Sequence, residues 1–205
     1  MPDGTARQRP AHRDPRVRRV RALVAAHEPA DERERRSKDA ALDHLDRLER
    51  PLDRDADLTH VTASAIVVGD RGVLLHRHRR LHRWMQPGGH VDEREEPAAA
   101  AVRECREETG LEVRHPGGEP RLVHLDVHPA ARGHTHIDLR YLVVGPDAAP
   151  VPEPGESPEV AWVSWEEAAA LADEALVGGL RSARALVDAG TGCAGIPLSR
   201  QLGVD

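Results

Sequence analysis

Phenylalanine is absent from all 205 residues, tyrosine occurs once (Tyr141) and tryptophan three times (Trp84, Trp162, Trp165). A core without large rings must be packed from Val, Leu, Ile and Ala. The same scarcity leaves few surfaces on which a nucleobase could stack. Two cysteines, Cys105 and Cys193, are too few for a disulfide framework. Acidic residues outnumber Lys and Arg by 35 to 29, giving a net charge of −6. That balance lacks the basic footprint of a nucleic-acid-binding domain, so a nucleic-acid polymer is not an expected partner. No apolar run approaches a membrane span. The Arg-rich start "MPDGTARQRP" has no apolar segment of a secretory signal. These absences imply a cytoplasmic, reduced protein with no membrane partner.

Hydrophobic residues make up 39% of the chain, enough for one globular domain carrying an appendage. Residues 1–15 are polar and expected to form a disordered tail. Over 16–57, Val17, Val20, Leu23 and Val24, then Ala41, Leu42, Leu45 and Leu48, recur at helical spacing, which predicts a two-helix extension. The charge run Asp31–Arg36 reads as its solvated face. From about Thr59 the pattern turns to short β-rich runs. "HVTASAIVV" and "GVLLHRH" flank Gly69-Asp70-Arg71-Gly72, a hairpin signal. "RLVHLDVH", "HIDLRYLVV" and "VAWVSW" are further strands, the last leading into the helix "EEAAALAD". A last helix is expected near Leu180–Asp188. The domain spans 58–190, residues 191–205 form a Gly-containing tail, and the fold class is α+β.

The densest signal is "GHVDEREEPAAAAVRECREETGL", residues 89–111, with seven carboxylates between Asp92 and Glu108. Like charges one turn apart destabilise a helix slightly, so a cation belongs with them. Pro97 suits a first helical turn and Gly110 the position just past a helix end. At about 100° per residue, Ala98, Ala101, Val102, Cys105 and Thr109 form one face, fit to pack on a sheet. Glu104, Glu107 and Glu108 share another, with Arg103 one turn before Glu107. Carboxylates converging beside the Pro87-Gly88-Gly89 loop make a hard-oxygen set suited to Mg²⁺, with Mn²⁺ as an admissible substitute. The competing plain reading is a salt-bridged surface helix.

The stretch resembles the signature of the Nudix hydrolases. That pattern is Gly, five residues, Glu, seven residues, Arg-Glu, an apolar residue, any residue, Glu-Glu, any residue, Gly, an apolar residue. Gly89, Glu95, Arg103-Glu104, Cys105, Glu107-Glu108, Gly110 and Leu111 fill every position, Cys105 standing where an aliphatic residue is more common. The resemblance implies an α/β/α sandwich with a mixed sheet, preceded here by the helical extension. It also implies a pyrophosphohydrolase, cleaving a nucleoside diphosphate derivative or related small organic diphosphate by water attack on phosphorus. Glu104, Glu107, Glu108 and the main-chain carbonyl of Gly88 would hold the metal. Arg103 would orient the glutamates, while Gly89, Glu95 and Gly110 would support the loop and helix. Glu104 or Glu107 is the candidate general base, and Glu156, before "AWVSW", a further ligand or base. The alternative is a Nudix-fold nucleotide-binding sensor without significant turnover. A homodimer is left open.

Thirteen histidines are many for such a chain. His134 and His136 share a strand face with Asp138, and His124 and His128 on the preceding strand could face them. They read as substrate contacts or a softer metal site on one side, and as a polar strand face on the other. Trp84 and Tyr141 complete the candidate substrate contacts, a place in the core being the competing reading for both.

Overall fold

A computed structural model describes residues 14–190; all but the last two residues of the tail expected at 1–15, the tail expected at 191–205, and Cys193 lie outside them. Helix α1 (Pro15–Ala26) starts where Asp14 accepts a hydrogen bond from the Arg16 N–H and Pro15 takes the first helical position, a preorganised start. It therefore begins inside the stretch expected as tail. Helix α2 (Glu32–Arg47) is capped by Asp31, which accepts from the Glu34 N–H. Val17, Val20 and Val24 of α1 and Ala41 and Leu45 of α2 are buried, whereas Leu23 is exposed.

Strands β1 (Thr59–Gly69) and β2 (Gly72–Arg77) form the expected hairpin, with Gly69 opposite Gly72. They are followed by β3 (Trp84–Met85), β4 (Gly88–His90), helix α3 (Pro97–Thr109), β5 (Leu122–Pro129), β6 (Thr135–Val144) and β7 (Val160–Val163). The main path of the sheet is β3-β2-β1-β6-β5, with β4 on β1 and β7 on β2. The β1–β6 pair is parallel and the other pairs are antiparallel, so the sheet is mixed. Along one edge of β1, residues 67–69 pair with β2 and residues 62–64 with β4. Two helices close the described chain, the short α4 (Trp165–Leu171) and the longer α5 (Glu174–Asp188).

Alternation along β1 decides which layer meets which. Val61, Ala63, Ala65 and Val67 pack with residues of α1, α2 and α3, while Ile66 and Val68 pack with α4 and α5. Helices on both faces of a mixed sheet make the α/β/α sandwich.

Two expectations are corrected. The run Asp31–Arg36 is not wholly a solvated face, because Glu34 is buried. The N–H of Leu125 donates to Glu34 Oε1 at 3.0 Å and that of Val127 to Ser37 Oγ at 3.2 Å. Strand β5 is an edge of the sheet, and α2 caps N–H groups there that would otherwise lie unpaired. The last helix starts at Glu174, six residues before Leu180. Asp173 caps it by accepting from the Leu176 N–H. The Gly178-Gly179 pair, poor in helix propensity, hides this start in the sequence. A Cβ on Gly178 would lie 2.8 Å from His124 Nε2, so close helix–sheet approach is what glycine serves there.

Candidate active site

Helix α3 carries the acidic residues, and its burial fixes their direction. Ala100, Ala101, Cys105 and Thr109 are buried, seating that face on β1. The Cys105 thiol is pushed up to about 12 by burial, which makes it a packing residue and not a nucleophile. Gly110 ends the helix at φ 67°. A Cβ there would meet the Val151 carbonyl oxygen at 1.8 Å, so both backbone angle and space demand glycine.

Glu104, Glu107 and Glu108 then face away from that core. Arg103 gathers the surrounding acids: Nε and Nη2 hold the Glu95 carboxylate at 3.0 Å each, Nη1 lies 3.1 Å from Glu104 Oε1 and 3.2 Å from Glu107 Oε2, and Nε lies 3.6 Å from Asp92 Oδ2. Its Nη2 also donates to the His90 carbonyl at 2.9 Å. Arg103 is raised above the usual range by the Glu95 hydrogen bonds first and by Glu104 next. Glu95 is itself placed by the Asp92 N–H, which donates to its Oε2 at 3.0 Å. The loop and the helix are thus locked through one guanidinium.

Glu108 is left outside that lock. It accepts from the Gly88 N–H at 2.8 Å; burial, then the carboxylates of Glu104, Glu156 and Glu107, push it up to about 8. Glu104 is also raised, by burial before all else. His76 Nδ1 lies 3.5 Å from Glu108 Oε1, and it is buried without a hydrogen-bond partner. Burial lowers this imidazole to about 4, so it supplies no positive charge near neutral pH. A cleft of about 530 Å³ opens beside these groups, lined by His76, His78, Arg79, Arg80, Glu108, Glu156 and Ser157.

A hard divalent cation fits this donor set. Carboxylate oxygens of Glu104, Glu107, Glu108 and Glu156 are the appropriate ligand type. Gly89 leaves them room: a Cβ on it would lie 2.5 Å from the Glu104 carboxyl carbon.

The model of the NUDIX domain matches residues 58–181. The chain belongs to the Nudix family. The chain is 38% identical over 120 residues to a CMP-5'-(N-acetyl-N-hydroxy-3-aminopropyl)phosphonate hydrolase of Streptomyces rubellomurinus, covering 53% of this chain and 54% of that one. It is 32% identical over 156 residues to an m7GpppN-mRNA hydrolase of Homo sapiens, covering 65% of this chain and 46% of that one. The chain therefore spans about half the length of these curated relatives. A NUDIX-family hydrolase structure from Clostridium perfringens superposes with a TM-score of 0.53 at 29% identity, over 62% of this chain and 97% of that one.

Of the residues singled out in this Nudix chain's sequence, Gly88, Gly89, Glu95, Arg103, Glu104, Glu107 and Glu108 come together around α3, and Glu156 lines the adjoining cleft. Gly88 is tied to Glu108 through its N–H. Tyr141 is buried in the α3-side core, its ring 5.9 Å from that of His115, which is the core place weighed against a substrate contact. Trp84 packs against the α4–α5 side cluster. His134 and His136 belong to a separate group of imidazoles. His76 escaped the sequence reading. Its signal is a histidine two residues after Leu74, on the strand face that packs toward α3.

Proposed function

We propose that this Nudix protein is a divalent-metal-dependent pyrophosphohydrolase, cleaving the diphosphate linkage of a nucleoside diphosphate derivative or related organic diphosphate by water attack on phosphorus. The observation that carries the reading is the cluster of half-buried carboxylates on α3, with the single guanidinium of Arg103 directed at Glu95, Glu104 and Glu107 and away from Glu108. Burying such charge without a partner is costly, and a cation resolves the cost. Names of the relatives, hydrolases of a CMP-linked phosphonate and of an m7GpppN cap, support a phosphorus-centred hydrolysis.

Glu104, Glu107 and Glu108 would hold Mg²⁺ or Mn²⁺, with Glu156 reaching from its loop. Bound there, the cation supplies charge neutralisation to the phosphates and eases deprotonation of water. The chain's own residues do the rest. Arg103 fixes the glutamate rotamers, and Arg79 and Arg80 on the cleft wall attract the polyanion. Glu104 or Glu107 takes the proton from the attacking water, both lying within reach of the same guanidinium.

Glu108→Gln tests the reading. Metal-dependent release of phosphate or nucleoside monophosphate from a panel of dinucleotides, nucleotide sugars and nucleoside triphosphates should fall by about 100-fold or more, with an unchanged melting curve. Near-wild-type turnover in that variant would sink the assignment.

A further inference from the structure

Away from the acidic helix, three strands deliver histidines to one place. His60 is the second residue of β1, His136 stands directly opposite it on β6, and His90 ends β4, where its partner on β1 is Thr62. One ring nitrogen from each of the three lies within 4.8 Å of the others. The ring centroids are 5.2 Å (His60–His90), 5.0 Å (His60–His136) and 5.6 Å (His90–His136) apart. His134 stands 5.2 Å from His60 and His128 5.6 Å from His136.

His60 decides what this cluster is for. Its residue is fully buried. Nδ1 lies 3.4 Å from the Asp57 carbonyl oxygen, the partner to which an N–H at that nitrogen donates. That bond leaves the lone pair on Nε2, and Nε2 is buried with no hydrogen-bond partner. A ring that donates from one nitrogen to a main-chain carbonyl and presents the other bare is how a metal-binding histidine is held. Three imidazoles with ligand nitrogens within 4.8 Å of one another, and no carboxylate in the set, select a borderline transition ion over Mg²⁺. Arg54 reaches His90 Nδ1 only at 3.5 Å, the limit of a hydrogen bond, from an exposed position.

We propose that His60, His90 and His136 form a second metal site, distinct from the carboxylates of α3, that takes a borderline divalent transition ion of the zinc class. A tetrahedral zinc set has nitrogens about 3.4 Å apart, so the rings close in slightly on binding. Water or His134 completes the coordination. The ion ties β4 to β1 and β6, and β4 is the strand that carries Gly88 and Gly89. Its role is to staple the strand that shapes the carboxylate site, not to do chemistry there.

The test uses the full chain without an affinity tag, stripped with a chelator and dialysed against Zn²⁺ in the presence of excess Mg²⁺. One equivalent of zinc per chain is expected, retained in Glu108→Gln and bound at least tenfold more weakly in His136→Asn and in His90→Asn. Melting curves of each variant separate lost ligation from lost folding. Co²⁺ added to the wild-type chain needs no variant, and should give the visible absorption of a nitrogen-ligated ion. Zinc uptake abolished by Glu108→Gln, or a Co²⁺ spectrum of an oxygen-ligated ion alone, would overturn the proposal.

Discussion

At Gly89 a single hydrogen atom in place of a side chain decides where the Glu104 carboxylate can sit. Its missing side chain leaves room for the Glu104 carboxyl group, which a Cβ would approach to 2.5 Å. No left-handed backbone is involved there, so the substitution is a clean probe of space. Gly89→Ala is expected to lower metal-dependent turnover by about 10- to 100-fold, the usual cost of displacing a metal-site side chain. Its melting temperature should move little, which calorimetry checks. His124 carries a different residue-scale prediction. Burial, then the charge of Arg140, lowers this imidazole to about 4, against the opposing pull of Glu34, Asp126 and Asp138. The folded state therefore prefers the neutral ring, while the unfolded chain takes up its proton from about pH 6.5 downward. Stability is fully present above that value and is lost as the pH falls toward 4. Asp126, Asp138 and Glu34 sit below their ordinary range and extend the loss further into acid. His124 should contribute about 1–2 kcal/mol to the difference between urea titrations at pH 7 and pH 5, and His124→Gln should reduce that difference by the same amount.

At the scale of elements, α2 and β5 form a unit that hydrophobic periodicity does not describe. Glu34 accepts from Leu125 N–H, from Ala30 N–H at 2.7 Å and is 2.7 Å from His27 Nε2. Burial works against this carboxylate, and the contacts with His27, Ala30 and Leu125, together with the nearby His124, outweigh it. Glu34→Ala would strand buried donors on an edge strand and on the α1–α2 loop, at about 1–3 kcal/mol for each unsatisfied group. A total loss of about 3 kcal/mol in chemical denaturation is expected, far above that of a solvated helix glutamate. An effect within 0.5 kcal/mol would mean that water replaces the carboxylate. Helix α3 is the contrasting case. Its limits, Pro97 and Gly110, its acidic face and the Ala101, Cys105 and Thr109 part of its buried stripe were legible in the sequence. Each rests on residues within one or two turns of one another. Ala100, by contrast, is buried outside the expected face, and Ala98 and Val102 are only partly covered. The start of α5 was not legible, because the reason for Gly178 is a histidine on β5.

At the scale of the molecule, the two leading helices are joined to the Nudix domain rather than appended to it. Val17, Val20, Val24 and Leu45 are buried in one cluster with β1 and α3 residues. Arg16 Nη1 donates to the Glu95 carbonyl at 3.1 Å, and Arg19 pairs with Glu96. Burial of those four side chains is worth roughly 6–12 kcal/mol at the usual 1.5–3 kcal/mol each, as an upper bound. A whole domain's stability is only about 5–15 kcal/mol. Deleting residues 1–55 should therefore abolish soluble, cooperatively melting protein, as measured by the soluble fraction and a thermal scan. A soluble truncated chain with full metal-dependent turnover would show the helices to be dispensable. Among the described residues no helix is long and apolar enough to cross a membrane.

The sequence by itself determined what depends on near neighbours: the β1–β2 turn at Gly69–Gly72, the amphipathic stripe of α3, and the Arg103-Glu104…Glu107-Glu108 spacing that marks the family. Its fold class followed from that spacing together with the order of strands and helices. Only the tertiary structure decided which polar residues are buried and what they meet. Glu34 reaches Leu125 across 91 residues, and His60 meets His136 because β1 and β6 pair in parallel. Tyr141 turns to the core because it shares a β6 face with Ile137 and Leu139. The physical reason is one of distance along the chain. Helix periodicity and turn chemistry are local and leave their mark in composition. Strand pairing and register bring remote residues together, and a side chain's charge or partner is known only once that pairing is made.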